Sequence, residues 1–185
     1  MALRTTGDRM SDRSVLNQEY AHEAFSYQDG RLYWKHRPTH HFIDEWRQRI
    51  FNSRQAGSEA GSIARGYQMV RFSWGKVGVH RIVFLMFHGY LPKEVDHING
   101  DPLNNRIGNL RAATHSQNLQ NSKTSAANKS GRKGVSFHGT NQTWSAYIRV
   151  GGRHVHLGSF KSLEAAALVR AEAEKKHYGE FSNGR

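Results

Sequence analysis

The sequence contains no cysteine among its 185 residues. Disulfides and cysteine-ligated zinc are therefore excluded, and any bound metal must be held by oxygen atoms or by histidine. Long apolar runs are also missing. The longest, residues 82–87, is too short to span a membrane, and the N-terminal segment lacks the apolar core of a signal peptide. We therefore expect a soluble, intracellular protein with no structural zinc and no membrane partner.

Acidic residues are scarce relative to basic ones. There are 15 Asp and Glu against 27 Lys and Arg, which gives a formal net charge of +12 and a sequence pI of about 10.3. Such a balance favours a polyanionic partner, with nucleic acid first and an anionic membrane surface second. The length suits one ordinary domain or two small ones, and we expect two.

The best candidate for a domain boundary is the small, polar and aperiodic stretch 122–131, which has the composition of a linker. Before it, the pattern predicts a helix from Ser14 and a hairpin that turns at Asp29-Gly30. It also predicts two strands that turn at Gly75-Lys76, followed by a buried helix ended by Gly89. The segment between the hairpin and these two strands has no clear pattern.

After the linker, three runs of alternating apolar and polar residues are separated by turn signals at 139–141 and 151–152. This pattern predicts a three-stranded antiparallel sheet. A helix should follow, with Ser162 as its N-cap, lysines in its last turn and Gly179 as its end. The predicted fold class is therefore α+β, with an N-terminal domain over 1–121 and a C-terminal domain over 132–182.

Residues 95–121 concentrate aspartate, histidine and asparagine in a predicted order of strand, loop, strand and helix. A hydrolytic phosphodiesterase needs a base to deprotonate water and a hard cation that is held by oxygen ligands. Asp96 and His97 offer one of each, and Asn99-Gly100 supplies the bend that lets neighbouring strand residues serve one site. With Thr114 as helix cap, Asn118 lies about one turn into the helix and offers a second oxygen ligand.

These residues, "DHINGDPLNNRIGNLR" followed by "SQN", resemble the HNH endonucleases, specifically the homing type that phages and introns encode. The resemblance implies a ββα-metal fold and one divalent ion, magnesium or manganese. It also implies a role for each matching residue: Asp96 and Asn118 as metal ligands, His97 as general base, Asn109 as the residue that pins the loop and orients the base, and Asn104 and Asn105 as loop supports. Upstream segments such as "GRLYWK" and "HRIVFLMFHGYLP" extend the resemblance to roughly residues 25–121.

A structural explanation stays open for several of these residues, because Asn, Asp and Gly are also common in ordinary turns. Asp101 is most simply a turn residue. His80 and His88 flank an apolar run and are more typical of packed or surface histidines than of ligands. The pair His40-His41 receives no role.

The segment from Lys129 to Leu163 carries six basic residues and no acid. It resembles the plant ethylene-response-factor DNA-binding domain, on the pattern "GVSFHGTNQTWSAYIRVGGRHVHLGSF" followed by an alanine-rich helix. A small sheet can enter the major groove, where arginine reads guanine. The predicted DNA-binding residues are Lys133, Ser136, Trp144, Arg149, Arg153, His154 and His156. Ser136, His154 and His156 depart from the residues usual in that family, and Trp144 and Tyr147 have the alternative of covering one side of the sheet.

The sequence thus predicts a metal-dependent endonuclease that binds double-stranded DNA, acts as a monomer and, if phage-encoded, works in the host cytoplasm. His97 would activate water, and the ends produced would be 5′-phosphate and 3′-hydroxyl. Because one active centre is evident, we expect nicking. The alternatives are a non-catalytic DNA-binding protein or transcription regulator and an RNA-directed nuclease.

Overall fold

The structure, a computed structural model, describes residues 15–125 and 127–182. Within these ranges the chain divides into two compact units. Unit 1 comprises residues 15–97 and 101–112, and unit 2 comprises 98–100 together with the residues from 113 onward. No helix in the described part of the chain combines the length and apolarity needed to cross a membrane.

Unit 1 opens with a helix and a hairpin. Helix α1 (Gln18–Ala24) is capped by Asn17, whose side chain accepts from the Tyr20 amide, whereas the predicted start at Ser14 lies outside the described residues. Strands β1 (Phe25–Gln28) and β2 (Arg31–Trp34) pair antiparallel. The two turn residues both have positive φ, 49° at Asp29 and 91° at Gly30, as a type I′ hairpin turn requires. The predicted hairpin is confirmed.

The segment that follows contains structure that the sequence pattern did not predict. A 3-10 turn at Thr39–His41 precedes helix α2 (Glu45–Gln55), and strand β3 (Ser62–Ala64) comes after it. Helix α2 begins at Asp44, whose carboxylate accepts from the Arg47 amide at 2.7 Å. Its apolar residues form only a weak helical stripe, so periodicity could not reveal it.

Strands β4 (Tyr67–Phe72) and β5 (Gly75–Gly78) complete a three-stranded sheet in the order β3-β4-β5. The predicted turn at Gly75-Lys76 is wrong by two residues: Phe72 pairs with Gly75, so the turn is formed by residues 73 and 74. Helix α3 (Val79–His88) ends at Gly89 with φ of 76°, as predicted. Its buried apolar side chains form the centre of the unit 1 core.

The region around the candidate site has the predicted order of elements. Strands β6 (Glu94–His97) and β7 (Leu110–Ala113) form a two-stranded sheet, and helix α4 (His115–Asn121) follows. The predicted cap is confirmed, since Thr114 and Gln117 form a reciprocal capping box. Helix α4 belongs to unit 2 together with residues 98–100.

The remainder of unit 2 is a sheet backed by a helix. The strands are β8 (Val135–His138), β9 (Thr143–Val150) and β10 (Arg153–Phe160), antiparallel in the order β10-β9-β8. Helix α5 (Leu163–Tyr178) is capped by Ser162 and ends at Gly179, as predicted. Val135, Ala146 and Ala166 form a small core between the sheet and α5.

Candidate active site and nucleic-acid surface

His97 is the last residue of β6 and is held by a side chain from the loop that follows. The chain leaves the strand directly after it, in a turn that includes Gly100 with φ of 64°. The His97 side chain is buried, and its Nε2 lies 3.1 Å from the Asn105 amide oxygen Oδ1. An amide oxygen only accepts hydrogen bonds, so Nε2 carries the proton and Nδ1 carries the lone pair. This tautomer is the one a base needs.

The surroundings of His97 keep its imidazole neutral. Burial lowers the pKa of His97 below its usual value, and this effect outweighs the hydrogen bond that His97 donates to Asn105 and the charges of Asp96 and Asp101, which raise the pKa. At neutral pH the His97 ring is therefore unprotonated. A buried neutral imidazole with a fixed tautomer can act as a general base.

Asn105 is almost fully buried, with 1% of its surface exposed, and it bridges two other side chains. Besides its contact with His97, its Nδ2 donates to the Gln68 Oε1 at 3.3 Å. Its predicted role was to support the loop backbone, but in the structure its side chain contacts the His97 imidazole directly. Sequence reasoning missed this because Gln68 lies 37 residues away in the chain.

Asn109 and Asn104 hold the loop to itself. The Asn109 side chain donates to the Asn104 carbonyl at 2.8 Å, which fits the loop-pinning part predicted for Asn109. Asn104 Oδ1 accepts a longer bond, 3.4 Å, from the Arg106 amide. Asp101 Oδ1 accepts from the Leu103 amide at 3.1 Å, so Asp101 forms the turn that its sequence context predicted. The base-orienting part predicted for Asn109 stays a prediction.

The β1–β2 hairpin fixes the position of this loop. The Arg106 guanidinium donates to both carboxylate oxygens of Asp29 at 2.6 Å, and the Ile107 amide donates to the Tyr27 hydroxyl at 3.0 Å. Gly30 allows the close approach, because a Cβ atom there would lie 2.9 Å from the Arg106 amide nitrogen. The hairpin turn is thus part of the support of the site.

Asp96, the first predicted metal ligand, is a buried carboxylate in an ion pair. Arg111 donates to its Oδ2 through Nε at 2.9 Å and lies against the same oxygen through Nη2 at 2.8 Å. A carboxylate and an amide oxygen are donors that magnesium and manganese accept, so Asp96 and Asn118 fit such an ion chemically. An ion at Oδ2 would compete with the Arg111 guanidinium for that oxygen. Asn118 lies on α4 in unit 2.

Another group of potential ligands lies in unit 1, where sequence reasoning assigned no role. Glu23 on α1 and the pair His40-His41 bring their ligand atoms within 4.8 Å of one another, the one such group among the described residues. Glu23 Oε2 lies 2.9 Å from His40 Nε2 and 2.8 Å from His41 Nε2. These separations are close to those of two ligands on one metal ion.

The protonation state of His41 argues against a metal at this second group. The buried Arg37 donates through Nε to His41 Nδ1 at 3.2 Å, so Nδ1 holds the lone pair and Nε2 holds the proton that it donates to Glu23. Burial, and then the charge of Arg37, lower the pKa of His41 to about 4. A metal ligand would need its lone pair on Nε2. The arrangement fits a carboxylate held by two imidazoles better than it fits a metal centre.

One face of the unit 2 sheet carries four of the seven predicted DNA-binding residues. Cross-strand partners share a face, and the pairs are Ser136 with Ser145, Tyr147 with His156, and Arg149 with His154. The neighbouring pairs Ala146 with Val135 and Ile148 with Val155 point to the opposite face, where Ala146 packs against α5. The structure therefore brings Ser136, Arg149, His154 and His156 together on the face away from the helix.

The other three predicted DNA-binding residues lie elsewhere. Trp144 pairs with Phe137 and Phe160 and packs against the core. Its position therefore fits the alternative that it covers one side of the sheet. Arg153 pairs with Val150 and lies on the helix side of the sheet. Lys133 donates from Nζ to the carbonyls of residues 119, 120 and 122 at the end of α4, at 2.6–3.1 Å. Its ammonium group thus caps the C-terminus of α4. Burial lowers the pKa of Lys133.

A groove of about 1040 Å³ lies within unit 2, between α4 and the sheet. Among the described residues that line it there is no aspartate or glutamate. The basic and histidine side chains around it are His115, Lys133, Arg149, His154 and Arg170. Arg170 is buried and paired with Glu174 at 2.8 Å, so the side chains left for a polyanion come mainly from the sheet face.

Comparison with known proteins identifies the segment that contains the site. A profile of the HNH endonuclease family matches residues 77–120. Protein 3.8 of Escherichia phage T7 is 33% identical over 108 residues, which are 57% of this chain and 88% of that protein. The uncharacterized HNH endonuclease L560 of Acanthamoeba polyphaga mimivirus is 33% identical over 116 residues, which are 61% of this chain and 59% of that protein. No solved structure matches.

The family match covers β6, the loop, β7 and most of α4, so it contains Asp96, His97, Asn109 and Asn118. It ends before the linker, and the resemblance of the C-terminal segment to the plant ethylene-response-factor domain stays a prediction. The chain therefore carries an HNH endonuclease domain within residues 77–120 and belongs to the family of viral proteins that includes Protein 3.8 of Escherichia phage T7.

Proposed function

We propose that this protein is a divalent-metal-dependent HNH endonuclease of the homing type, which nicks double-stranded DNA and recognises it through its C-terminal sheet. The observation that carries the proposal is the state of His97 inside the matched HNH segment. It is a buried neutral imidazole whose Nε2 donates to Asn105, so that Nδ1 holds a lone pair for a water proton.

The mechanism follows from the residues of the loop and of β6. His97 Nδ1 takes a proton from water, and the hydroxide attacks the phosphorus in line with the 3′ oxygen. The bond from phosphorus to the 3′ oxygen breaks, and that oxygen takes a proton from solvent water. Asn105 Oδ1 keeps the ring in place and accepts from Nε2 while the imidazolium exists. A divalent ion held by Asp96 and Asn118 would stabilise negative charge on the phosphate and the leaving oxygen. The products are 5′-phosphate and 3′-hydroxyl ends.

DNA recognition is supported by the charge and shape of unit 2. Arg149 and His154 are cross-strand neighbours on the sheet face away from α5, and both line the acid-free groove beside α4. Cations placed in this way can neutralise backbone phosphates, and arginine can read guanine edges. The observations support Ser136, Arg149, His154 and His156 as the contact residues, and they do not support Lys133, Trp144 or Arg153.

A plasmid-nicking assay tests the enzymatic proposal. Wild-type protein should convert supercoiled plasmid to the nicked circle when magnesium or manganese is present, and a chelator should stop the reaction. His97→Ala should remove nicking and leave DNA binding in a gel-shift assay intact. His177→Ala, at an exposed histidine in the last turn of α5, is the matched control and should cut normally.

The second candidate, a non-catalytic DNA-binding protein, draws on the ion pair between Asp96 and Arg111, which occupies an oxygen predicted for the metal. The same assay separates the two candidates. If wild-type protein and His97→Ala both shift DNA while neither nicks it with either metal, the enzymatic proposal is rejected. Preferential cleavage of matched single-stranded RNA would reject duplex DNA as the substrate.

A further inference from the structure

A second histidine lies beside His97 and has no part in the mechanism above. His80 is near the start of α3, and its ring centroid is 5.0 Å from that of His97, with 55° between the ring planes. Tyr67 on β4 lies next to both rings, 5.7 Å from His80 and 6.3 Å from His97. Two imidazoles at this separation are neighbours with no room for another side chain between them.

The way His80 is buried is not explained by packing. Its Nδ1 is buried and has no hydrogen-bond partner among the described residues. An atom left unpaired in this way loses its hydrogen bond to water and gains none in the folded protein, which destabilises the fold. A phenylalanine would fill a similar volume without that penalty. Packing alone would therefore favour phenylalanine over histidine at position 80.

The neighbouring Gly78 makes room for this ring. Its φ of −66° and ψ of 137° are open to any residue, so the backbone does not require glycine. A Cβ atom at position 78 would lie 2.7 Å from His80 Nδ1 and closer still to Cε1. Any larger residue here would therefore displace the His80 ring, which lies against the backbone. The histidine at position 80 and the glycine at position 78 thus together place an imidazole next to His97.

The burial of Nδ1 determines which nitrogen of His80 can act. A buried unpaired lone pair is tolerated better than a buried unpaired N–H, so the proton belongs on Nε2. Burial, followed by the charges of His97 and Arg81, lowers the pKa of His80 to about 3, which keeps the ring neutral. A neutral donor adds no positive charge beside His97 and so leaves that base able to accept a proton.

We propose that His80 is a further catalytic residue, which donates a hydrogen bond from Nε2 to a non-bridging oxygen of the scissile phosphate. This inference rests on the proposed nuclease function. Negative charge grows on those oxygens as hydroxide attacks, and a fixed donor next to the base stabilises it more in the transition state than in the bound substrate. His80 transfers no proton, so its effect falls on the cleavage rate and not on DNA affinity.

The test compares His80→Phe, which keeps a ring without a donor, with His80→Gln, whose amide N–H can reach the position of Nε2. We expect His80→Phe to reduce the single-turnover nicking rate by about 100-fold, which is typical for loss of one such donor. Its melting temperature and gel-shift affinity should stay at wild-type values or rise, and His80→Gln should recover at least tenfold over His80→Phe. His88→Phe, at the other end of α3 and stacked on Phe84, is the matched control and should nick normally.

A second route keeps the test decisive if His80→Phe does not fold. Gly78→Ala leaves the imidazole present but displaces it, so nicking should fall, and Gly78→Ala combined with His80→Ala should be no slower than His80→Ala alone. The inference is overturned if His80→Phe nicks within twofold of wild type, or if His80→Gln is no faster than His80→Phe. Active wild type with inactive His97→Ala and fully active His80→Phe would reject only this inference, whereas inactive wild type rejects the proposed function itself.

Discussion

The ion pair between Asp96 and Arg111 makes a quantitative prediction about stability. Asp96 is buried and Arg111 is mostly buried, with 4% and 11% of their side chains exposed, and the Nε and Nη2 contacts of the guanidinium fall on Oδ2. Arg111→Met keeps the aliphatic stem but removes the charge, which leaves a buried carboxylate without its guanidinium. Breaking a buried pair in this way costs about 3–5 kcal/mol. For a chain of this length, the melting temperature should then fall by roughly 6–20 °C.

A double-mutant cycle separates the pair from the rest of the packing. Asp96→Asn combined with Arg111→Met removes both charges, and it should be within about 1 kcal/mol of wild type because replacing a whole buried pair is often nearly neutral. Urea denaturation followed by circular dichroism, with chelator present, gives the four free energies of unfolding. Equal stability of Arg111→Met and wild type would refute the reasoning, as would simple additivity of the two changes.

The same variants test whether Asp96 binds a metal. A ligand that binds only the folded chain raises its stability in proportion to the logarithm of its concentration above Kd. Without the guanidinium, Arg111 no longer competes for Oδ2, so magnesium should stabilise Arg111→Met more than it stabilises wild type. It should not stabilise Asp96→Asn with Arg111→Met. Equal increments in all three proteins would show that Asp96 is not a ligand.

Three further predictions concern other side chains. Asn105→Ala should slow nicking by on the order of 10–100-fold without changing gel-shift affinity, because the His97 tautomer is no longer fixed; an unchanged rate would contradict this. In the unfolded chain His41 takes up a proton near pH 6.5, whereas in the folded chain its pKa is about 4. The free energy of unfolding of the protein should therefore decrease as the pH is lowered from 6.5 to 4, by about 3 kcal/mol at most. His41→Phe should flatten this slope, and an unchanged slope would assign it to other groups. Lys133→Met should lower the free energy of unfolding by about 1–3 kcal/mol and leave DNA affinity near wild type, whereas Arg149→Ala should reduce the salt dependence of binding by about one phosphate contact; the opposite pattern would restore Lys133 as a DNA contact.

The elements that the sequence predicted correctly are those whose ends are determined by interactions between residues close together in the sequence. Thr114 and Ser162 cap helices through bonds to amides three residues ahead, and Gly89 ends α3 through its own backbone conformation. Helix α2 was missed because its apolar residues form only a weak helical stripe. The turn between β4 and β5 was misplaced because glycine signals a turn, while here Gly75 is paired with Phe72 as a strand residue. Local chemistry identifies an element more securely than its register.

The candidate site shows the same division between local and distant causes. Asp96 and His97 could be predicted because they lie next to each other in a recognisable pattern. Asn105 could not be assigned to the imidazole, since the sequence offers several equivalent asparagines nearby and only the folded loop selects one. His80 looked like a packed residue because its histidine neighbour lies 17 positions further along the chain. Its ring is recognisable as unusual only when the buried nitrogen and the space above Gly78 are seen together.

The support of His97 explains why so much of unit 1 precedes the short segment that holds the proposed catalytic residues. The β6–β7 sheet has two strands, and an isolated two-stranded sheet is marginal in water. Its loop is therefore held from outside, by Asp29 on Arg106 and by Tyr27 on the Ile107 amide, and Asn105 is braced by Gln68. These contacts come from the hairpin and from β4, well before the matched family segment begins. The geometry of the proposed base thus depends on residues outside that segment, and an excised fragment of residues 77–120 would keep the HNH motif but lose the contacts that orient His97.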